Sequence, residues 1–168
     1  FNIGSTRVLS VRGTNNTLVG ESAGGSILST GTNNTMVGFA AGDVLSSGGY
    51  NSFMGSSAGA ANTTGGANSF FGALAGNANT SGIQNSFFGR GAGAANTTAD
   101  ANSFFGAYSG NVSTGADNSF FGALTGLANT TGYSNSFFGT DAGKANTTGF
   151  KNSFYGASAG ALNTGNGN

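Results

Sequence analysis

Large apolar residues recur along this chain in adjacent pairs at a nearly fixed interval. The pairs are Leu18-Val19, Met36-Val37, Phe53-Met54, Phe70-Phe71, Phe87-Phe88, Phe104-Phe105, Phe120-Phe121, Phe137-Phe138 and Phe154-Tyr155, each preceded by Asn-Ser or Asn-Thr and followed by Gly. The Asn residues that open these units, from Asn16 to Asn152, are separated by 18, 17, 17, 17, 17, 16, 17 and 17 positions. One unit reads N-S-F-F-G-x-x-A-G-x-A-N-T-T-G-x-x, and its positions are called columns one to seventeen below. The period accounts for residues 16–168 as one repeat region and leaves residues 1–15 as an entry or capping segment.

A repeat this short predicts a stack of identical coils rather than an independent core. Columns five and nine are Gly in every copy, and column eight is small, mostly Ala with Ser109 and Thr125 as exceptions. Like residues would then stack about 4.8 Å apart in a parallel β-solenoid, where Phe and Asn ladders add stability and Gly turns the corners. An α-solenoid fits poorly: helical repeats run to about 33 residues or more, and each Gly would cost a helix roughly 1 kcal/mol against Ala. The expected fold is all-β, with about nine coils of 17 residues.

Charge and length changes mark the outside of the coil. Glu21, Asp43, Arg90, Asp100, Asp117, Asp141, Lys144 and Lys151 all fall in columns six, seven, ten, sixteen or seventeen, which are therefore read as facing water. The extra residue of the first unit and the missing one of the Asn102 unit both lie in the A-N-T-T-G arm. Insertions in solenoids map to loops, so that arm is read as the solvent face.

Columns three and four are neighbours on a strand and must point to opposite faces. One column fills the coil. The other makes an outward apolar stripe roughly 40 Å long at the usual strand spacing, of a size that marks an interaction surface. Phe53, Phe70, Phe71, Phe87, Phe88, Phe104, Phe105, Phe120, Phe121, Phe137, Phe138 and Phe154 are accordingly the expected core and interface residues, the outer set covered by further copies of the chain. A wide coil that turns both rings inward at a corner is the alternative.

Composition removes most chemistry from consideration. The 168 residues include no Cys, His, Pro or Trp, and five basic residues balance five acidic ones. That leaves no disulfide framework and no usual zinc site, and it disfavours a nucleic-acid partner. No apolar run is long enough to span a membrane as a helix. The first residue is Phe, which reads as a processed chain or a fragment, and the end at Asn166-Gly167-Asn168, in mid-pattern, fits truncation or stacking of open ends.

Three G-x-S-x-G strings (Gly20 to Gly24, Gly55 to Gly59, Gly156 to Gly160) match the nucleophile elbow only in letters, because their Gly residues are columns five and nine and no His base exists. The G-x-x-x-G spacing of those same columns is a turn signal rather than a membrane-helix contact. Glu21 is the only Glu and no unit holds two Asp, which argues against paired-carboxylate catalysis and calcium loops. No enzyme and no cofactor is expected.

The N-T-T arm carries two periodic chemical signals. Asn62, Asn79, Asn96, Asn129 and Asn146 stand in glycosylation sequons, as do Asn15, Asn33 and Asn111, and are candidate glycan acceptors. The competing reading makes them turn formers bonded to nearby backbone. Thr63, Thr80, Thr97, Thr130, Thr147 and Thr164 form a ladder, which admits an ice-binding face, although adjacent Thr residues face oppositely.

Asn-Ser-Phe-Phe-Gly-x-x-Ala-Gly resembles the coil repeats of trimeric autotransporter adhesin heads. With its N-T-T-G arm it more closely resembles the arrays of bacterial and phage tail-fibre-like surface proteins. The opening Phe1 to Ser10 is similar to the entry segment of such arrays. The resemblance implies a homotrimer of left-handed β-rolls, forming a rigid extracellular head or stalk that attaches to a surface glycan or receptor. It transfers no binding residue. Adhesin-head units are shorter, at about 14 residues. The expected function is a structural, non-catalytic segment of an extracellular fibre or adhesin, with a self-assembling filament subunit, glycosylated on its turns, and an ice-binding solenoid as alternatives.

Overall fold

The computed structural model describes residues 2–3, 6–7, 9–10, 12–28 and 30–168. Five of the other six residues belong to the entry segment, so that part of the sequence reading lies partly outside the described residues. Two short strands, β1 (Asn2–Ile3) and β2 (Thr6–Arg7), pair antiparallel. β3 (Leu9–Ser10) then lies antiparallel against β4 (Thr17–Val19).

Nine strands of three residues each follow in parallel register. They are β4, β5 (Thr35–Val37), β6 (Ser52–Met54), β7 (Ser69–Phe71), β8 (Ser86–Phe88), β9 (Ser103–Phe105), β10 (Ser119–Phe121), β11 (Ser136–Phe138) and β12 (Ser153–Tyr155). Each strand occupies columns two to four, and like columns pair: Ser69 with Ser86, Phe70 with Phe87, Phe71 with Phe88. The chain is thus an all-β solenoid, with no helix among the described residues.

The two Phe columns separate as the strand pleat requires. In β7 to β11 the middle residue is buried and its neighbours are half-buried. Phe53, Phe70, Phe87, Phe104, Phe120 and Phe137 are at most 1% exposed, and their rings stack 4.8–4.9 Å apart. Leu18 and Met36 continue the column in the first two coils, and Phe154 packs on it at the far end. The wide coil with both rings inward is not what forms.

Outside the strand the chain turns through short backbone loops. Ala75 N–H donates to Gly72 C=O at 3.1 Å, Asn77 N–H to Leu74 C=O at 3.3 Å and Asn79 N–H to Gly76 C=O at 3.0 Å. Bonds to the next coil continue through the turns, as from Gly76 to Ala92 C=O, Ala78 to Ala94 C=O and Thr80 to Thr97 C=O. The ladder of hydrogen bonds therefore extends well beyond three-residue strands.

Columns five and nine are glycine for two different reasons. At Gly72 (φ +136°) a Cβ would sit 2.6 Å from the carbonyl group of Gly89, the same column one coil on. At Gly76 (φ +54°) it would sit 2.5 Å from the Phe70 ring, so the missing side chain is what lets the interior ring lie flat. Glycine does not make every corner, however. Column seventeen except Gly167, and column seven except Gly91, hold non-glycine residues with φ between +52° and +62°, such as Leu74, Tyr108, Gln84 and Ala101. Such a left-handed residue costs roughly 1 kcal/mol or more, and the surrounding hydrogen bonds hold it.

Gly76→Ala is expected to cost about 3 kcal/mol, through overpacking and strain at positive φ. Ala101→Gly, at an exposed left-handed position, should fall within about 1 kcal/mol of the parent, because relief of strain offsets added chain entropy. Urea denaturation of the two variants checks both values.

Candidate functional site

The interior of the coil holds more than rings. The column-one asparagines from Asn16 to Asn152 are buried, none more than 6% exposed. The left-handed residue in column seventeen turns the next backbone N–H inward, away from any strand partner. A buried amide must find an acceptor. In each coil it finds the Asn Oδ1 of the coil before: Asn68 N–H donates to Asn51 Oδ1 at 3.0 Å, and Asn85 N–H to Asn68 Oδ1 at 2.9 Å. The same bond continues through Asn102, Asn118, Asn135 and Asn152 to Asn168. The other end of the carboxamide donates to column fifteen of its own coil, as from Asn68 Nδ2 to Gly82 C=O at 2.8 Å.

Column twelve is a second interior ladder, which corrects the reading of the whole arm as solvent face. Asn62, Asn79, Asn96, Asn129 and Asn146 are 0% exposed. Asn79 Nδ2 donates to Asn62 Oδ1 at 2.8 Å, Asn96 Nδ2 to Asn79 Oδ1 at 2.8 Å, and Asn146 Nδ2 to Asn129 Oδ1 at 2.9 Å. Each also donates to the column-fifteen carbonyl, so Gly82 C=O receives both Asn68 and Asn79. A glycan on Nδ2 would have to replace these bonds in a filled interior. In the folded coil these five residues act as the turn formers of the competing reading, each Nδ2 bonded to the backbone carbonyl three residues on. Asn15 and Asn33, by contrast, are exposed.

The N-T-T arm is therefore split between core and solvent. Its Asn points in, while the column-thirteen Thr hydroxyls tie coils together: Thr63 Oγ1 donates to Thr80 C=O and Thr80 Oγ1 to Thr97 C=O, both at 3.0 Å. A sequence signal for the buried column was present. Ile27 and Leu45 hold column twelve in the first two coils, and both are buried.

The length change in the Asn102 unit falls just after this column. Ser113 replaces Asn there, and the exposed residue after the column-thirteen Thr is missing. Asn129 Nδ2 donates to Ser113 Oγ at 2.9 Å, but buried Asn96 Oδ1 and Asn102 Nδ2 have no hydrogen-bond partner among the described residues.

Outside, Phe71, Phe88, Phe105, Phe121 and Phe138 form a second stack with centroids 4.6–4.8 Å apart, extended by Tyr155. These rings cover one another's faces and are half-buried within one chain. The stack itself removes part of the apolar area that the sequence reading assigned to a partner. What solvent meets is a ridge of ring edges beside a half-buried Ser column. Neither column holds a charged residue in any of the nine units.

The remaining motifs resolve into surface geometry. Ser22, Ser57 and Ser158 of the G-x-S-x-G strings are left-handed corner residues at φ of 56–58°. Lys144 Nζ lies 2.9 Å from Asp141 Oδ1 on the surface, a pair worth at most about 1 kcal/mol. Arg90 lies over the Tyr108 ring at 5.4 Å. No group of three potential metal-ligating side chains and no helix long and apolar enough to cross a membrane occurs among the described residues.

Asn79→Ala should cost about 3 kcal/mol, since Asn62 Oδ1 and Gly82 C=O each lose a buried donor. Folded protein secreted from a glycosylating host should carry no glycan at Asn62, Asn79, Asn96, Asn129 or Asn146, read by peptide mapping.

No protein-family profile, curated protein or solved structure matches the chain.

Proposed function

We propose that this chain is a non-catalytic structural segment of an extracellular fibre or adhesin, a rigid rod that packs against copies of itself along its outer Phe column. The observation that carries this reading is the uncharged strip of columns two and four, which runs the length of the repeat while every charged residue after Arg12 lies in other columns. Two interior ladders and a stacked Phe column support rigidity, because bending the rod would break contacts that repeat in every coil. The extracellular setting and a three-fold assembly rest on the resemblance of the N-S-F-F-G unit to fibre and adhesin arrays. The ice-binding alternative has less support: column-thirteen hydroxyls spend their hydrogens on the next coil, and column fourteen is interrupted in the Asn102 unit.

Native mass spectrometry tests the reading. The parent chain should appear at multiples of 16.3 kDa, three copies for the three-fold assembly. Phe88→Ser with Phe105→Ser should give a monomer with an unchanged circular dichroism spectrum, because ring edges on the surface are lost and no cavity opens inside. Phe87→Ser, which empties an interior site, should instead cost about 3–5 kcal/mol of stability. A parent chain that stays monomeric at high concentration contradicts the proposal.

A further inference from the structure

Column thirteen ties each coil to the next, except at one step inside the rod. Its N–H donates to the same column one coil on, from Leu28 to Ser46, Ser46 to Thr63, Thr63 to Thr80 and Thr80 to Thr97, at 2.7–2.9 Å. The pattern resumes from Thr114 to Thr130 and from Thr130 to Thr147, at 2.7 and 2.8 Å. Between the Asn85 and Asn102 units it fails. Among the described residues exposed Thr97 donates from neither N–H nor Oγ1, although Thr80, Thr114 and Thr130 donate from both. The bond is also missing from Thr147 to Thr164. Both gaps lead into a coil of 16 residues, Asn102 to Asn118 or Asn152 to Asn168, so the gap goes with coil length.

Two substitutions act on the same edge. Column fifteen is Gly in every other unit but holds Ala99 before the short coil. At Gly65 and Gly82 a Cβ would lie 2.5 and 2.6 Å from the carbonyl oxygen of that column one coil on. The Ala99 methyl therefore claims the place that Gly115 C=O would take in a regular coil. Asn102 Nδ2 accordingly lacks the column-fifteen bond that its equivalents make, as Asn85 does to Ala99 and Asn118 to Gly132. Ser113, two heavy atoms shorter than Asn, leaves Asn96 Oδ1 without a donor.

The strand side crosses this step intact. β8 and β9 pair in register, Phe87 stacks on Phe104 at 4.9 Å, and Phe88 stacks on Phe105 at 4.6 Å. Ser86 N–H donates to Asn102 C=O at 2.8 Å, as Ser69 N–H does to Asn85 C=O. Segments with fewer protected hydrogen bonds open at lower free energy than the rest of a fold.

We propose that this step is a joint built into the rod. The arm opens between the Asn85 and Asn102 units, while the paired strands and stacked rings stay closed and serve as the hinge. The coils on either side move as two blocks, and the rod bends there first. The short coil, Ala99 and Ser113 form one device, because each loosens the same edge. The outer Phe stack is continuous across the joint, so opening does not require copies of the chain to separate.

Native-state hydrogen exchange of backbone amides, followed by NMR, tests the joint. Ala61, Ala78 and Ala95 N–H donate to the next coil at Asn77, Ala94 and Asn111 C=O, at 2.9–3.0 Å, and all three alanines are half-buried. Only the Ala95 bond crosses the joint. Corrected for neighbouring residues, Ala95 should exchange about tenfold faster than Ala61 and Ala78, or more. Ser86 and Ser69, on the strand side, should exchange alike. A repaired chain with Ala99→Gly, Ser113→Asn and a Thr inserted after Thr114 should slow Ala95 to the rate of Ala78. The comparison within the parent chain stands even where the repaired chain does not fold. A smaller ratio at Ala95 overturns the proposal, as does equal acceleration of Ser86, which would mean that the strand side opens too. A folded repaired chain in which Ala95 stays fast also overturns it.

Discussion

Coiling a chain every 17 residues turns one backbone amide per coil toward the interior, where no strand can receive it, and the whole architecture depends on the Asn side chain that does. Column-one Oδ1 accepts that amide from the following coil, while Nδ2 holds the column-fifteen carbonyl of its own coil. An Asp would bring a charge into the core, a Ser would not reach both partners, and an apolar residue would leave two buried groups unpaired, at about 1–3 kcal/mol each. Asn combines an acceptor and a donor at the right separation. Its recurrence in every unit follows from that chemistry.

The Phe column and the glycines are consequences of the same tight coil. With polar ladders occupying part of the cross-section, the space that remains admits one large ring per coil, roofed by a residue without a Cβ at Gly76 and its equivalents. The neighbouring position is forced outward by the pleat. It compensates by stacking on itself, which gives the rod an uncharged seam without any partner present.

Much of this was legible in the sequence. The period, the single inward Phe column and the glycine corners at columns five and nine could be read because side-chain alternation and glycine's absence of a Cβ leave signatures in residue type. Two features could not be read in that way. The left-handed corners at Leu74 and Gln84 carry no residue-type signal, since tertiary hydrogen bonds rather than propensity hold them. Asn62 and its equivalents looked like loop residues because Asn-Thr-Thr is turn-like and sequon-like. Only Ile27 and Leu45 in the same column betray that the position is buried. The shortened Asn102 unit shows how the ladder tolerates error: Ser113 still receives Asn129, and the mismatch is confined to Asn96 and Asn102.

Hydrogen exchange of the Asn side-chain amides tests the central claim most directly. Carboxamide protons of Asn68, Asn79 and Asn135, which donate to carbonyl or carboxamide oxygens inside the coil, should exchange orders of magnitude more slowly than those of exposed Asn15 and Asn33. Exchange at one common, rapid rate for all five would contradict the account, because the interior ladders would then not hold the solenoid together.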